Sequence, residues 1–394
     1  MSRVLMTMIR PLSYGASRMA MYYALALKKA GHEVVVFYSE RIKTGEEQNS
    51  ILPELHRNLI ATMHVHGLAG FGLPKLMSPL YMAARALQPD LIISINVRDA
   101  PAAMQTAKRL NVPGIVFALN MPRFGGLPGV RHLKTWLYRY TIRKLATHVI
   151  CCSSGIAKEL IENGGLDPVR SSVVPNGIGQ GEGNPDRESI RRDVRKELGL
   201  TDEIVLLNLA RIHPQKGQRF LLEAMRLTAQ RPDVPQTVLL IAGDAESVAE
   251  RRLKLELHEF VRQYQLQNRV RFLGFRTDGD RLLRAADVFV LPSLWEGLPL
   301  AVLEAFAAEC PVIMAEYGEK FDGFHDNVDG VYVPAGNSRA LADAICRLAT
   351  VSEVDRCEMG RNGRHYLLQH LTLEKTQAMF TACVEEVLGR PAKK

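Results

Sequence analysis

The sequence predicts an α/β protein built as two doubly wound parallel sheets, each the core of its own domain. Three observations carry that reading. Short apolar runs of strand length alternate with amphipathic stretches of helix length, the pattern of parallel strands joined by crossover helices. The alternation breaks once, at residues 180–186 (QGEGNPD), where Gly, Pro and polar residues replace it, and then starts again. The 394 residues also exceed what one ordinary core organises, and 47% hydrophobic with 23% charged residues is the balance of a globular chain.

In the first half, strands are expected at residues 4–9, 33–37, 91–95, 114–119 and 148–152. The segment 16–30 carries Met19, Tyr22, Tyr23, Leu25, Ala26 and Leu27 and stops before Gly31, as a helix closed by a left-handed residue does. In the second half, strands are expected at 204–209, 238–242, 270–273, 288–291, 312–314 and near Val331. The expected domains are residues 1–183 and 184–370, both Rossmann-like, with a last amphipathic segment, 371–394, crossing back to the first. In such sheets ligands bind beyond the carboxyl ends of the strands, so two domains facing across a cleft put their functional residues on post-strand loops.

Composition removes several classes. No apolar run approaches the roughly 18 residues of a membrane span. The start, with Arg3 and Arg10 around a short apolar stretch, lacks the apolar centre of a signal peptide. The six cysteines show no CxxC or zinc-like spacing and read as small core residues in a reducing cytoplasm. His64 and His66 form an HxH in a segment short of further ligands, which reads as structural, so no metal is expected. Charge is uneven: residues 1–190 hold 22 Lys and Arg against 13 Asp and Glu, while the remainder holds 28 against 29. A basic first half suits an anionic acceptor or an anionic membrane surface. Without RNP-like aromatics, finger spacing or a dense basic tract, nucleic acid is not an expected partner.

Two post-strand loops carry chemistry. After the strand at 204–209 come Arg211 and Lys216, a planar fork of donors and a compact point charge, which together suit a diphosphate whose charge grows as it leaves. After the strand at 288–291 come Ser293, Glu296, Gly297 and Pro299, then a helical run containing Glu304. Pro299 suits the first turn of that helix, which leaves the N–H groups of Leu300 and Ala301 pointing outward as an anion site. Glu296 and Glu304 supply carboxylates for sugar or ribose hydroxyls.

The pair Glu296 and Glu304, preceded by Pro292-Ser293 and enclosing Gly297 and Pro299, resembles the E-x7-E motif of retaining GT-B glycosyltransferases, most closely family 4. Arg211 with Lys216-Gly217 resembles that family's R-x4-K-G loop, and residues 173–177 (VVPNG), Ala242-Gly243-Asp244 and residues 270–274 (VRFLG) stand in its usual order. The resemblance covers most of the chain, most strongly residues 146–335. It implies a GT-B fold with the donor site in the second domain and the acceptor site in the first. The implied activity is retaining, metal-independent transfer of a hexose-like sugar from a nucleotide diphosphate sugar, with UDP as the nucleotide and GDP or ADP as alternatives. The implied acceptor is a glycan or lipid-linked saccharide of bacterial cell-surface polysaccharide synthesis, and no cofactor is implied.

By the same resemblance Arg211 and Lys216 hold the diphosphate and Glu304 meets the ribose. Glu296, with the backbone of Gly297, Leu298, Leu300 and Ala301, meets sugar and phosphate, and Gly274, Phe275 and Arg276 lie against the base. The chain departs from the family in three places. The first loop, residues 11–18, has a single glycine, Gly15, with Arg18 adding charge; Asn120 stands where many members place a histidine; and the loop at 317–320 reads Tyr-Gly-Glu-Lys. Asn120 and the altered first loop keep open a second reading, a non-catalytic sugar-nucleotide-binding protein on the same fold. On the acceptor side, residues 131–144 (RHLKTWLYRYTIRK) mix basic and aromatic residues on one expected helix, and 68–87 is apolar with Lys75 and Arg85. Both suit contact with anionic lipid, so the expected place is the cytoplasm, peripheral at the inner face of the plasma membrane.

Overall fold

A computed structural model gives the fold and describes residues 1–12, 15–42, 47–66, 78–119, 128–179, 187–316 and 324–389. Among the described residues the strands are β1 (Arg3–Met8), β2 (Glu33–Tyr38), β3 (Ala61–His64), β4 (Leu91–Ser94), β5 (Gly114–Ala118), β6 (His148–Cys151), β7 (Ser171–Val173), β8 (Ile204–Leu209), β9 (Thr237–Ala242), β10 (Val270–Gly274), β11 (Val288–Leu291), β12 (Val312–Glu316) and β13 (Val331–Pro334). Between them run α1 (Gly15–Lys29), α2 (Leu52–Arg57), α3 (Ser78–Leu87), α4 (Ala100–Leu110), α5 (Pro128–Tyr140), α6 (Ser154–Glu162), α7 (Arg187–Glu197), α8 (Gln218–Thr228), α9 (Val248–Gln263), α10 (Gly279–Ala285) and α11 (Leu300–Ala307). The chain closes with α12 (Ser338–Thr350), α13 (Glu353–His370) and α14 (Leu373–Gly389).

The chain divides into two units, the first being residues 1–177 with 373–394 and the second residues 178–372. Each is a doubly wound parallel sheet with helices packed on it, the architecture that the strand–helix alternation predicts. The expected boundary at 180–186 lies outside the described residues.

Unit 1 orders its strands β3-β2-β1-β4-β5-β6-β7. The central ones read as unbroken apolar runs, with Val4, Leu5, Met6, Ile92, Ile93, Val116 and Phe117 fully buried, because helices cover both faces. The strands β3 and β7 went unrecognised in the sequence for the opposite reason. They lie at the two sheet edges, only half buried or exposed, so ATMH and SSV present no apolar run. The last helix, α14, packs on α1: the Phe380 ring stacks on Tyr23 at 4.1 Å between centroids, and Gln377 Nε2 donates to the Tyr22 carbonyl at 2.7 Å. His64 sits on β3 with its ring nitrogen Nε2 3.1 Å from the Ser39 carbonyl.

Unit 2 orders its strands β10-β9-β8-β11-β12-β13. Leu206, Leu239, Ile241, Val288, Val290 and Ile313 pack with Leu222 and Met225 of α8, Leu253 and Leu257 of α9, and Leu341 and Ile345 of α12 in one core. From β8 the chain winds outward through β9 to β10 and then returns to place β11 on the other side of β8. Such a reversal leaves a crevice at the carboxyl ends of the two central strands. The pairing shows where it opens. The strands β8 and β9 are in register over six residues, whereas β8 and β11 pair only at Leu206–Val288 and Leu207–Phe289. Beyond that point Asn208, fully buried, spans the gap with Nδ2 donating to the Val290 carbonyl at 2.8 Å.

Among the described residues no helix is long and apolar enough to cross a membrane. Of the cysteines, Cys151, Cys152, Cys310, Cys346 and Cys383 are buried and Cys357 is half-buried, all as free thiols.

Candidate active site

The loop that leaves β8 is shaped by three local devices. His213 caps a short 3-10 turn, Pro214–Lys216, by accepting the Gln215 N–H on Nδ1 at 3.1 Å. Gly217 closes that turn at φ 70°, in the left-handed region that glycine adopts without strain. It also lies so close to the loop after β11 that a Cβ would sit 2.0 Å from the Pro292 carbonyl oxygen. Absence of a side chain is therefore what lets the two loops touch.

They are laced together. The Leu294 N–H donates to the Gln215 carbonyl at 2.7 Å, and Gln215 Nε2 donates to the Trp295 carbonyl at 2.8 Å. Lys216 Nζ meets Glu296 Oε1 at 2.5 Å, and the Ser293 hydroxyl donates to the same oxygen at 2.8 Å. Glu296 is buried while Lys216 is partly exposed, so the carboxylate is the fixed member of the pair. Both contacts fall on Oε1, which leaves Oε2 without a hydrogen-bond partner among the described residues.

Arg211 lies on the β9 side of the same loop. Its Nη1 is 3.2 Å from Glu250 Oε1 and 3.7 Å from Glu246 Oε2. Glu250 belongs to a capping box at the start of α9 and accepts the N–H groups of Glu246 and Ser247 on Oε2, both at 2.8 Å. Burial pushes its carboxyl up, but those two donors and the Arg211 guanidinium outweigh it and hold the group below its ordinary value. His213, with Nε2 4.0 Å from Glu250, is held below the ordinary imidazole value by burial first and by Arg211 second. The ring is thus neutral at pH 7. Sequence reading passed over Glu250, Glu246, His213 and Gln215. The capping box Ser247…Glu250 is visible in the letters, but nothing local says that its carboxylate faces a guanidinium 39 positions earlier in the chain.

The structure corrects one placement. Pro299 is the N-cap of α11, in extended backbone at φ −72° and ψ 121°, and the helix starts at Leu300. The ring fixes φ at a value that suits either position, so ψ alone decides, and here it is extended. Leu300 and Ala301 are consequently the first two helical residues, whose N–H groups have no intrahelical acceptor, and a proline N-cap brings no side-chain oxygen to cover them. Gly297, Leu298 and Leu300 are buried, Ala301 is half-buried, and Glu304 stands half-buried in the second turn.

The remaining predicted residues stand on other elements. Gly274 ends β10 at φ 68°, beyond a register shift, and accepts the Gly243 N–H at 2.7 Å. Phe275 beside it is about half exposed. Arg276 is committed to Asp278 at 2.7 Å and Glu197 at 3.0 Å, and both raise its already high pKa. Gly15 and Arg18 belong to α1 in unit 1. Asn120 and the loop at 317–320 lie outside the described residues, as do Lys75 and the first part of the apolar segment at 68–87.

Solved proteins share this architecture. HepE of Anabaena superposes at TM-score 0.82 with 20% identity over 98% of this chain and 100% of its own. Sucrose-phosphate synthase of Thermosynechococcus elongatus does so at 0.80 with 19% identity over 98% and 99%. These likenesses define a GT-B fold. Two family models match the sequence, Glycosyltransferase Family 4 over residues 14–179 and Glycosyl transferases group 1 over residues 203–350, and the chain belongs to this glycosyltransferase family. It is 29% identical over 262 residues to the UDP-Gal:alpha-D-GlcNAc-diphosphoundecaprenol alpha-1,3-galactosyltransferase of Escherichia coli, covering 64% of this chain and 65% of that protein. It is 30% identical over 248 residues to a D-inositol 3-phosphate glycosyltransferase of Geodermatophilus obscurus, covering 61% and 54%. The matched regions thus span less than two thirds of these relatives' own lengths.

Proposed function

We propose that this chain is a retaining glycosyltransferase that moves a sugar from a nucleotide diphosphate sugar to a lipid-linked saccharide or other glycan acceptor in bacterial cell-surface polysaccharide synthesis. The observation that carries the proposal is the meeting of Lys216 and Glu296 beyond the last paired residues of β8 and β11, beside the start of α11, with Arg211 on the same loop as Lys216. In this reading the diphosphate lies along Arg211, Lys216 and the Leu300 and Ala301 N–H groups. The two cations are already held beside that position by Glu250 and Glu296, and the two N–H groups are part of the helix, so stabilising the departing charge needs little reorganisation. Glu296 offers Oε2 to a sugar hydroxyl, Glu304 accepts from the ribose, and Gly274 with Phe275 borders the base. Two side-chain cations and a helix end supply the positive charge that a divalent ion brings elsewhere, so the rate is expected to be insensitive to chelators.

UDP is the proposed nucleotide. The E. coli relative uses UDP-Gal with an acceptor on diphosphoundecaprenol, and HepE was solved with UDP-glucose. The decisive experiment offers UDP-, GDP- and ADP-sugars with and without acceptor and follows nucleoside diphosphate release. Release that depends on one nucleotide class and is lost in Arg211→Ala supports the reading. A thermal shift by the nucleotide with no release under any acceptor would instead favour a sugar-nucleotide sensor on the same fold.

A further inference from the structure

We propose that α5 lies flat in the interface of an anionic lipid bilayer and docks the chain there as a peripheral protein. This deepens the partner named above by assigning the surface that meets the membrane, and it stands without the donor chemistry.

The helix has two unlike faces. One is packed into unit 1, with Tyr138 and, just beyond the helix, Thr141 and Ile142 fully buried. The other holds Leu133, Trp136 and Tyr140, three and seven residues along one face, with Val130 a turn earlier; their exposures are 63%, 60%, 41% and 46%. The rings of Trp136 and Tyr140 stack at 5.7 Å with an interplanar angle of 17°, so the row presents one continuous aromatic edge. Single exposed apolar residues are ordinary, but four in line on one helix form a patch that a soluble surface does not need.

Charge selects the occupant. Arg131, His132, Arg139, Arg143 and Lys144 are all exposed around that row. Between Asp99 and Glu159 the chain contains no acidic residue and nine Lys or Arg, so no carboxylate of this stretch offsets them. A second copy of the same face would meet like charge. The next helix, α4, packs against both α3 and α5 and ends in exposed Lys108 and Arg109, while α3 shows exposed Met82 and Arg85. Aromatic and aliphatic residues at the acyl boundary with basic side chains reaching to lipid phosphates is the balance an interfacial helix needs. At 13 residues α5 is about 20 Å long, enough to lie along the surface.

The test uses the full chain with vesicles of phosphatidylglycerol and phosphatidylcholine against phosphatidylcholine alone. Binding is expected on the anionic vesicles only and to weaken as salt rises. Trp136 should be quenched by brominated acyl chains, and because Trp295 is the only other tryptophan, Trp136→Phe must abolish the quenching. Leu133→Ser with Trp136→Ser is expected to lower partitioning about tenfold or more with the circular dichroism and Tm unchanged, since both side chains are exposed. Loss of vesicle binding at low salt overturns the proposal. So does binding that ignores the double variant and shows no quenching, which marks a diffuse basic surface. Single-stranded RNA bound as tightly as lipid, with the same sensitivity to the double variant, would assign the face to nucleic acid instead. Vesicle binding without nucleotide sugar turnover keeps this inference and removes the one in the preceding subsection.

Discussion

The two sheets share one topological device and use it differently. In unit 2 the central strands β8 and β11 separate after two paired residues; the loops beyond them hold the Lys216–Glu296 pair, and Arg211 reaches from one of them to Glu250 of α9. In unit 1 the equivalent strands, β1 and β4, stay paired over four residues through Thr7 and Ser94. Beyond them Asp99 is fully buried at the head of α4, with the Thr7 hydroxyl donating to it at 2.5 Å. Burial pushes Asp99 up to about 7, with the hydrogen bond from Thr7 pulling the other way. A reversal of strand order makes the hollow; the side chains alone decide whether it welcomes a polyanion or holds a proton.

The largest expected effect tests the charged hollow. Arg211→Ala should lower turnover about a hundred- to a thousandfold and leave the fold intact, because Glu250 keeps its two backbone donors. Lys216→Ala should match that loss in rate and also lower Tm, since Glu296 is left buried without its cation; adding Glu296→Gln should restore Tm but not turnover. Turnover within tenfold of wild type in either variant would remove the diphosphate assignment.

The neutral hollow is tested by pH. The folded chain keeps a proton on Asp99 up to about pH 7, while an unfolded chain gives it up near 3.8, so the contribution to stability falls as pH rises from about 4 to about 7. Asp99→Asn removes the cost of ionising there. It is expected to be more stable than wild type at pH 8, by up to about 4 kcal/mol, with the gain gone at pH 4. Denaturation curves showing the same difference at both values would mean that Asp99 titrates normally.

Gly217→Ala probes the closeness of the unit 2 loops. Its Cβ would strike the Pro292 carbonyl in a backbone that is already left-handed, so a loss of about 2 kcal/mol or more in urea unfolding is expected, with turnover reduced alongside. A silent substitution would show that the loops move apart freely. The smallest effect is assigned to Glu304→Ala, which should weaken nucleoside diphosphate binding about tenfold in calorimetry with little change in kcat. Unchanged affinity would end the ribose assignment.

The central strands, the class of fold and the two loops bearing Arg211, Lys216 and Glu296, with Glu304 on the helix that follows, were readable from the letters, because apolar period and post-strand position are local properties. The edge strands β3 and β7 were not, since a strand half open to solvent carries no continuous apolar run. Pro299 was misplaced by one position because proline suits either the cap or the first helical residue, and only ψ separates them.

What the sequence alone determined is therefore which segments are the central strands and which side chains follow them. Only the tertiary structure decided who meets whom: Lys216 with Glu296 across 80 positions, Arg211 with Glu250 across 39, and Gly217 against Pro292. Those meetings depend on β11 returning to the side of β8, and strand order is a property of the whole sheet that no local pattern encodes.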